Sequence, residues 1–154
     1  MDLPALYRRD LTRLLLQIEA YPDEKALWRI LPGVTNSAGN LVLHIEGNLR
    51  EYIGRQLGSI PYTRQREREF TLTVLLKEEL AARVEELRHL IPSTLENISP
   101  EQMKAPYPEI VLEMPLSTED LLMHLYGHLN WHLGQIDTLR RVLTGGGAIA
   151  PVGL

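Results

Sequence analysis

Residues 117–144, STEDLLMHLYGHLNWHLGQIDTLRRVLT, decide how the rest of the chain is read. Ser117 can accept an orphan N–H of a first helical turn, and Glu119 and Asp120 place negative charge where the helix dipole favours it. Gly145, Gly146 and Gly147 supply the stop. Between them stand His124, His128 and His132, each four residues from the next. One such step turns a helix by about 40° and climbs about 6 Å, so neighbouring members can reach one metal ion. His124 and His132, about 12 Å apart, cannot share an ion so easily. One adjacent pair is the candidate, and His128 belongs to either choice.

The apolar stripe favours one of the two. At about 100° per residue, Leu122, Leu125, Leu129, Leu133, Ile136 and Leu143 gather on one face. His132 points near that stripe, His128 lies at its margin, and His124 is well out on the flank. Ligands in a bundle interior must point inward, which favours His128 with His132. Gln135 follows on the same side. Histidines at this spacing are equally at home as solvated edge residues, and periodicity alone does not exclude that.

Composition removes several alternatives. The 154 residues read as one domain, 1–154, long enough to bury a substantial core. The formal net charge of −4 offers no electrostatic footprint for nucleic acid. Cysteine is absent, which excludes disulfides, thiolate metal sites and a cysteine nucleophile. The first twenty residues scatter charges among apolar side chains, unlike a signal peptide or a membrane span. A cytoplasmic location without membrane partners is the expectation.

The remaining segments supply the partners of the histidine helix. A first helix starts at Asp2 and Pro4, with Leu3, Tyr7, Leu11, Leu14 and Ile18 on its apolar face, and ends at Tyr21-Pro22. Residues 25–30 allow a helical turn around Trp28, which plugs the end of the bundle. A second long helix spans about residues 37–57, where Ala38, Leu41, Val42, Ile45, Leu49 and Ile53 share a face. His44 falls on the flank of that face with Asn48, Glu51 and Arg55. Glu51 and Arg55 read as a surface ion pair. The run IPYTRQREREF, residues 60–70, alternates Arg64, Arg66 and Arg68 with acidic or amide neighbours and reads as a solvated connection, with a weaker reading as an anion-binding loop. A third helix is expected over about residues 71–90, with Leu72, Leu75, Leu76 and Leu80 inward, His89 in its last turn and Pro92 as its stop. Ser99 to Gln102 resembles a capping box. Residues 106–115 hold the one plausible strand, around Ile110, Val111 and Leu112. The tail AIAPVGL is apolar and rich in breakers, and its docking place is open.

The pattern predicts an all-α four-helix bundle with long connections and at most a minor strand element. Metal sites in such bundles are built by facing helices. Three neutral imidazoles from two helices leave coordination positions open, as in catalytic sites, and suit Zn, Ni, Cu or Fe.

The helix carrying His44, the HxxxHxGQI run from His128 to Ile136 and the four-helix plan resemble the DinB-like (DinB/YfiT) superfamily. The phrases SAGNLVLHIEGNLREYIG and YTRQREREF resemble a DUF-type branch of it. The resemblance implies a divalent-metal site made by His44, His128 and His132, and a homodimer. It also implies a metal-dependent transferase or isomerase that uses a low-molecular-weight thiol such as mycothiol, bacillithiol or glutathione. Asn48, Glu51 and Gln135, which share a flank with these ligands, are the candidates for orienting water or substrate. The arginine-rich run would receive a thiol's carboxylates. The competing expectation is a non-enzymatic metal-binding or interaction protein in which the metal is structural.

Overall fold

Asp2, Ser37 and Ser117 each open a long helix by accepting a first-turn backbone N–H, from Ala5 at 3.0 Å, Asn40 at 3.1 Å and Asp120 at 3.1 Å. The computed structural model describes residues 2–150, 152 and 153. Its helices are α1 (Leu3–Glu19), α2 (Glu24–Leu27), α3 (Ala38–Leu49), α4 (Arg66–Thr71), α5 (Lys77–Glu96), α6 (Pro100–Lys104) and α7 (Thr118–Thr144). α3 runs on without a break into a π-helical turn at Arg50–Arg55, and α7 stops at Gly145, whose φ of 67° is a left-handed cap. The four-helix plan is as the sequence predicts. Among the described residues no helix is long and apolar enough to cross a membrane.

α1 packs on α5 and α7, and α3 packs on α4, α5 and α7. The core is the expected α1 set and, from α7, the expected leucines and Ile136 with Leu121 and Leu139 added and Leu143 only partly buried, joined by Leu41, Val42, Ile45 and Leu49 of α3 and Leu80, Val84, Leu87 and Ile91 of α5. Two fully buried tyrosines fix α1 to α7. Tyr7 donates to the Leu122 carbonyl at 3.0 Å and Tyr21 to the Ile136 carbonyl at 3.1 Å. Trp28 lies against Gly39, where any Cβ would stand 2.5 Å from its ring, and donates Nε1–H to the Leu75 carbonyl. Arg140 of α7 donates to the Gly147 carbonyl and Arg13 of α1 to that of Val152.

Three expectations are corrected. The third long helix begins at Lys77 and passes through Pro92 to Glu96. Burial of Ile91, Pro92 and Leu95 offsets the one hydrogen bond the proline cannot make. Residues 72–76 form no helix, and Leu76 is 60% exposed. His89 is therefore mid-helix and solvated, not in a last turn. Residues 106–115 make only the isolated bridges Pro106–Ser117 and Val111–Met114, and Ile110 and Leu112 stand in solvent. Positive φ at Leu112 and Glu113 turns the chain before a strand can form.

Asp10 is fully buried between α1 and α7. It accepts from Arg9 at 2.8 Å, Arg13 at 2.9 Å, the Tyr126 hydroxyl at 2.6 Å and Asn130 at 3.1 Å. Burial works to raise its pKa, but the bonds from Arg9, Tyr126 and Asn130 outweigh it and hold the carboxyl below its ordinary value. Such a group adds stability above the unfolded pKa of about 3.9, and loses it as pH falls through the folded pKa. Asp10→Asn should lower stability by about 2 kcal/mol at pH 7, read by urea unfolding, with the gap to wild type closing as pH falls from about 3.9 through the lowered folded pKa. A gap that persists unchanged into acid would show that the charge is not what Asp10 contributes.

Candidate metal centre

His128 and His132 project from α7 one helical turn apart, and His44 faces them from α3. His128 Nε2 lies 3.1 Å from His44 Nε2 and 3.1 Å from His132 Nε2. The ligand atoms of all three residues fall within 4.8 Å of one another. His124 is exposed on the flank of α7 and outside the cluster, so the structure brings together the pair favoured from periodicity.

The outward nitrogens settle which way the rings face. His44 Nδ1 is 2.8 Å from Glu69 Oε2, and His132 Nδ1 is 2.7 Å from Gln135 Oε1. A carboxylate oxygen only accepts, so His44 Nδ1 carries the proton and Nε2 presents its lone pair to the centre. The same assignment follows for His132 when the Gln135 carbonyl oxygen is the facing atom. A proton on His128 Nε2 could then bond only one of its two neighbours, whereas a cation bonds all three. Burial, with the neighbouring His132 and His44, lowers the His128 pKa to about 4. Burial also lowers that of His132, against the opposing bond to Gln135. Neutral imidazoles are the form that ligates. Tetrahedral Zn–N geometry sets nitrogens about 3.3 Å apart, close to the two 3.1 Å spacings at His128. The donor set fits a divalent ion.

Glu69 was not among the sequence candidates, and it shapes the site. α4 is only six residues long, yet it is pinned to α3 by buried Asn40, whose Nδ2 donates to the Glu69 and Leu72 carbonyls at 3.0 and 2.9 Å. That places the Glu69 side chain in the space left by Gly47, where a Cβ would meet Oε1 at 2.1 Å. Arg64 grips the same carboxylate through Nε at 2.7 Å and Nη2 at 2.9 Å, and its guanidinium lies 5.8 Å from the centre of the Tyr52 ring. Burial pushes the Glu69 pKa up, but bonds from His44 and Arg64 outweigh it and keep the group ionised. The Phe70 ring packs 5.0 Å from that of His44. The segment at residues 60–70 is mostly exposed, as expected of a solvated connection, but Glu69 is buried and Arg64 half-buried. Its arginines average out against their acidic neighbours in composition, while one Glu and one Arg turn inward. The signal was Gly47, a mid-helix glycine one turn from a histidine, which marks a close approach.

His44 itself was left on a flank because its helix was read as one-faced. All twelve residues of α3 are buried, since α4 covers the face that α5 and α7 do not. The three orienting candidates part company. Gln135 touches His132. Glu51 is held by Arg55, which also donates to Glu109 at 3.0 Å. Asn48 Oδ1, one turn beyond His44, is buried and has no hydrogen-bond partner among the described residues.

This architecture and histidine arrangement define a DinB-like helical bundle. A DinB-like protein from Bacillus cereus ATCC 10987, known from a crystal structure, matches it with a TM-score of 0.68. The match covers 92% of this chain and 91% of that one at 16% sequence identity, which speaks for the fold alone. No curated protein matches. The mycothiol-S-transferase family model matches residues 2–145, and the chain belongs to that family.

Outer hydrogen bonds to ligating histidines typically change metal affinity by about 10–100-fold. Glu69→Gln and Gly47→Ala should each weaken Zn binding by roughly that factor in competition titrations with a chromogenic chelator. Unchanged affinity in both variants would remove Glu69 from the site.

Proposed function

We propose that the protein is a divalent-metal-dependent thiol S-transferase, with the ion held by His44, His128 and His132. The observation that carries this reading is the convergence of three imidazole Nε2 atoms in a member of the mycothiol-S-transferase family. A divalent ion there would supply the positive charge that lowers the pKa of an approaching thiol, so that its sulfur is nucleophilic at neutral pH.

The chain does the rest. Three neutral ligands leave the ion's charge undiminished and keep coordination positions open. Glu69 and Arg64 lock the His44 ring, and Gln135 locks that of His132, so little reorganisation accompanies substrate arrival. Of the three arginines in this run Arg64 is spent on Glu69, while Arg66 lies over the Phe70 ring and Arg68 is bonded to the neutral Gln65.

Metal analysis of untagged protein should give about one ion per chain, falling below a tenth of that in His44→Ala and His128→Ala. Mycothiol consumption with a panel of electrophiles should follow metal content across wild type and both variants. Metal binding with no turnover of mycothiol, bacillithiol or glutathione, together with a large fall in Tm on stripping the ion, would establish the structural-metal alternative.

A further inference from the structure

A groove of about 560 Å³ opens beside the histidine cluster, between residues 33–36 and the C-terminal half of α7. Its size is that of a small-molecule site. His132 belongs both to the groove wall and to the metal cluster, and Gln135, which orients His132, lines the same wall. None of the eleven lining residues is Asp, Glu, Lys or Arg. The walls are Leu41, Leu139 and Val34 with the Trp131 indole, which stands 70% exposed, and the remaining polarity is neutral. The cavity on the far side of α3 is the opposite in character: it holds about 260 Å³ and is lined by Glu46, Glu69, Arg68 and Arg83.

We propose that the groove is the subsite for the second substrate, an uncharged organic electrophile with a flat apolar body, whose reactive carbon is presented at His132. The inference rests on the thiol-transferase reading. The lining supplies no charged side chain to pair with a charged group, which disfavours electrophiles whose charge lies away from the metal end. An indole face and aliphatic walls favour an aromatic or long-chain body. Trp131 and Gln135 are thereby specificity-determining residues, and neither is needed to ligate the ion.

Gly134 makes a clean test. It lines the groove, and a Cβ added there meets nothing within 4 Å, so a larger side chain fills the groove without disturbing the helix. 1-Chloro-2,4-dinitrobenzene is the probe electrophile: the thiol sulfur bonds to the ring carbon, the C–Cl bond breaks, chloride leaves and the thiol proton passes to solvent. In metal-loaded protein, Gly134→Phe and Trp131→Ala should raise KM for this probe at least tenfold. Metal content should be unchanged and KM for mycothiol should stay within twofold. 4-Chloro-3,5-dinitrobenzoate, the carboxylate analogue, should give kcat/KM at least tenfold lower than the neutral probe on wild type.

Equal rises in both KM values, or no rise for the neutral probe, overturn the subsite. So does a shift in sedimentation on Gly134→Phe with KM unchanged, which makes the groove an interface between two copies. Binding of the neutral fluorophore N-phenyl-1-naphthylamine decides the matter without turnover. Binding to wild type that is lost in Gly134→Phe supports the uncharged subsite even if thiol transfer is never observed, and equal binding to both overturns it.

Discussion

The Glu69 carboxylate is the constraint around which the site is built. A charge taken from water is tolerated only where it is paired and hydrogen-bonded, and here His44 and Arg64 occupy both of its oxygens. Each neighbouring feature follows from that need. Gly47 leaves the room, Asn40 ties down the short helix that delivers the side chain, and Arg64 crosses the Tyr52 ring to reach it. The outcome is a His44 ring whose orientation is set before anything binds. The matching device on α7 is lighter: an amide one turn from His132, on an exposed face.

The long helices were legible because each carries its own instructions. Caps at Asp2, Ser37 and Ser117 and the left-handed glycine after Thr144 act within a few residues, and the α1 and α7 stripes repeat with the helical period. What escaped depends on packing between distant segments. α3 has two buried faces, so its histidine looked peripheral to a test that seeks one. Glu69 and Arg64 hid in a run whose average is hydrophilic, because composition cannot say which single charge turns inward. Pro92 looked like a stop, since the burial that carries the helix past it comes from other helices. Ile110 and Leu112 looked like strand because their residue types favour one, but no second strand lies beside them.

The site sits on a boundary between two kinds of surroundings. On one side of α3, carboxylates and guanidinium groups are closed on each other in pairs. On the other, the wall that contains His132 has no full charge at all. A positively charged centre placed between them gains support from the ionised Glu69 behind His44, while its open side stays weakly polar. Electrostatic effects on a reacting group are stronger in such a place than in water. A cation held by the three neutral imidazoles would have the ionised Glu69 one hydrogen bond behind His44.

The burial of α3 on every side has a consequence for how this chain can change. Twelve consecutive residues have no solvent-facing position among them, so almost any substitution there is felt by the packing. The helix that presents His44 is also the one that holds α4, α5 and α7 together. Substitutions along it act on the packing and on the histidine cluster together. α7 has open positions at Gly127, Trp131 and Gly134, and is free to drift on that face while its histidines stay in place. New substrate preferences would therefore arise on one helix, with the other serving as the fixed stock onto which they are grafted.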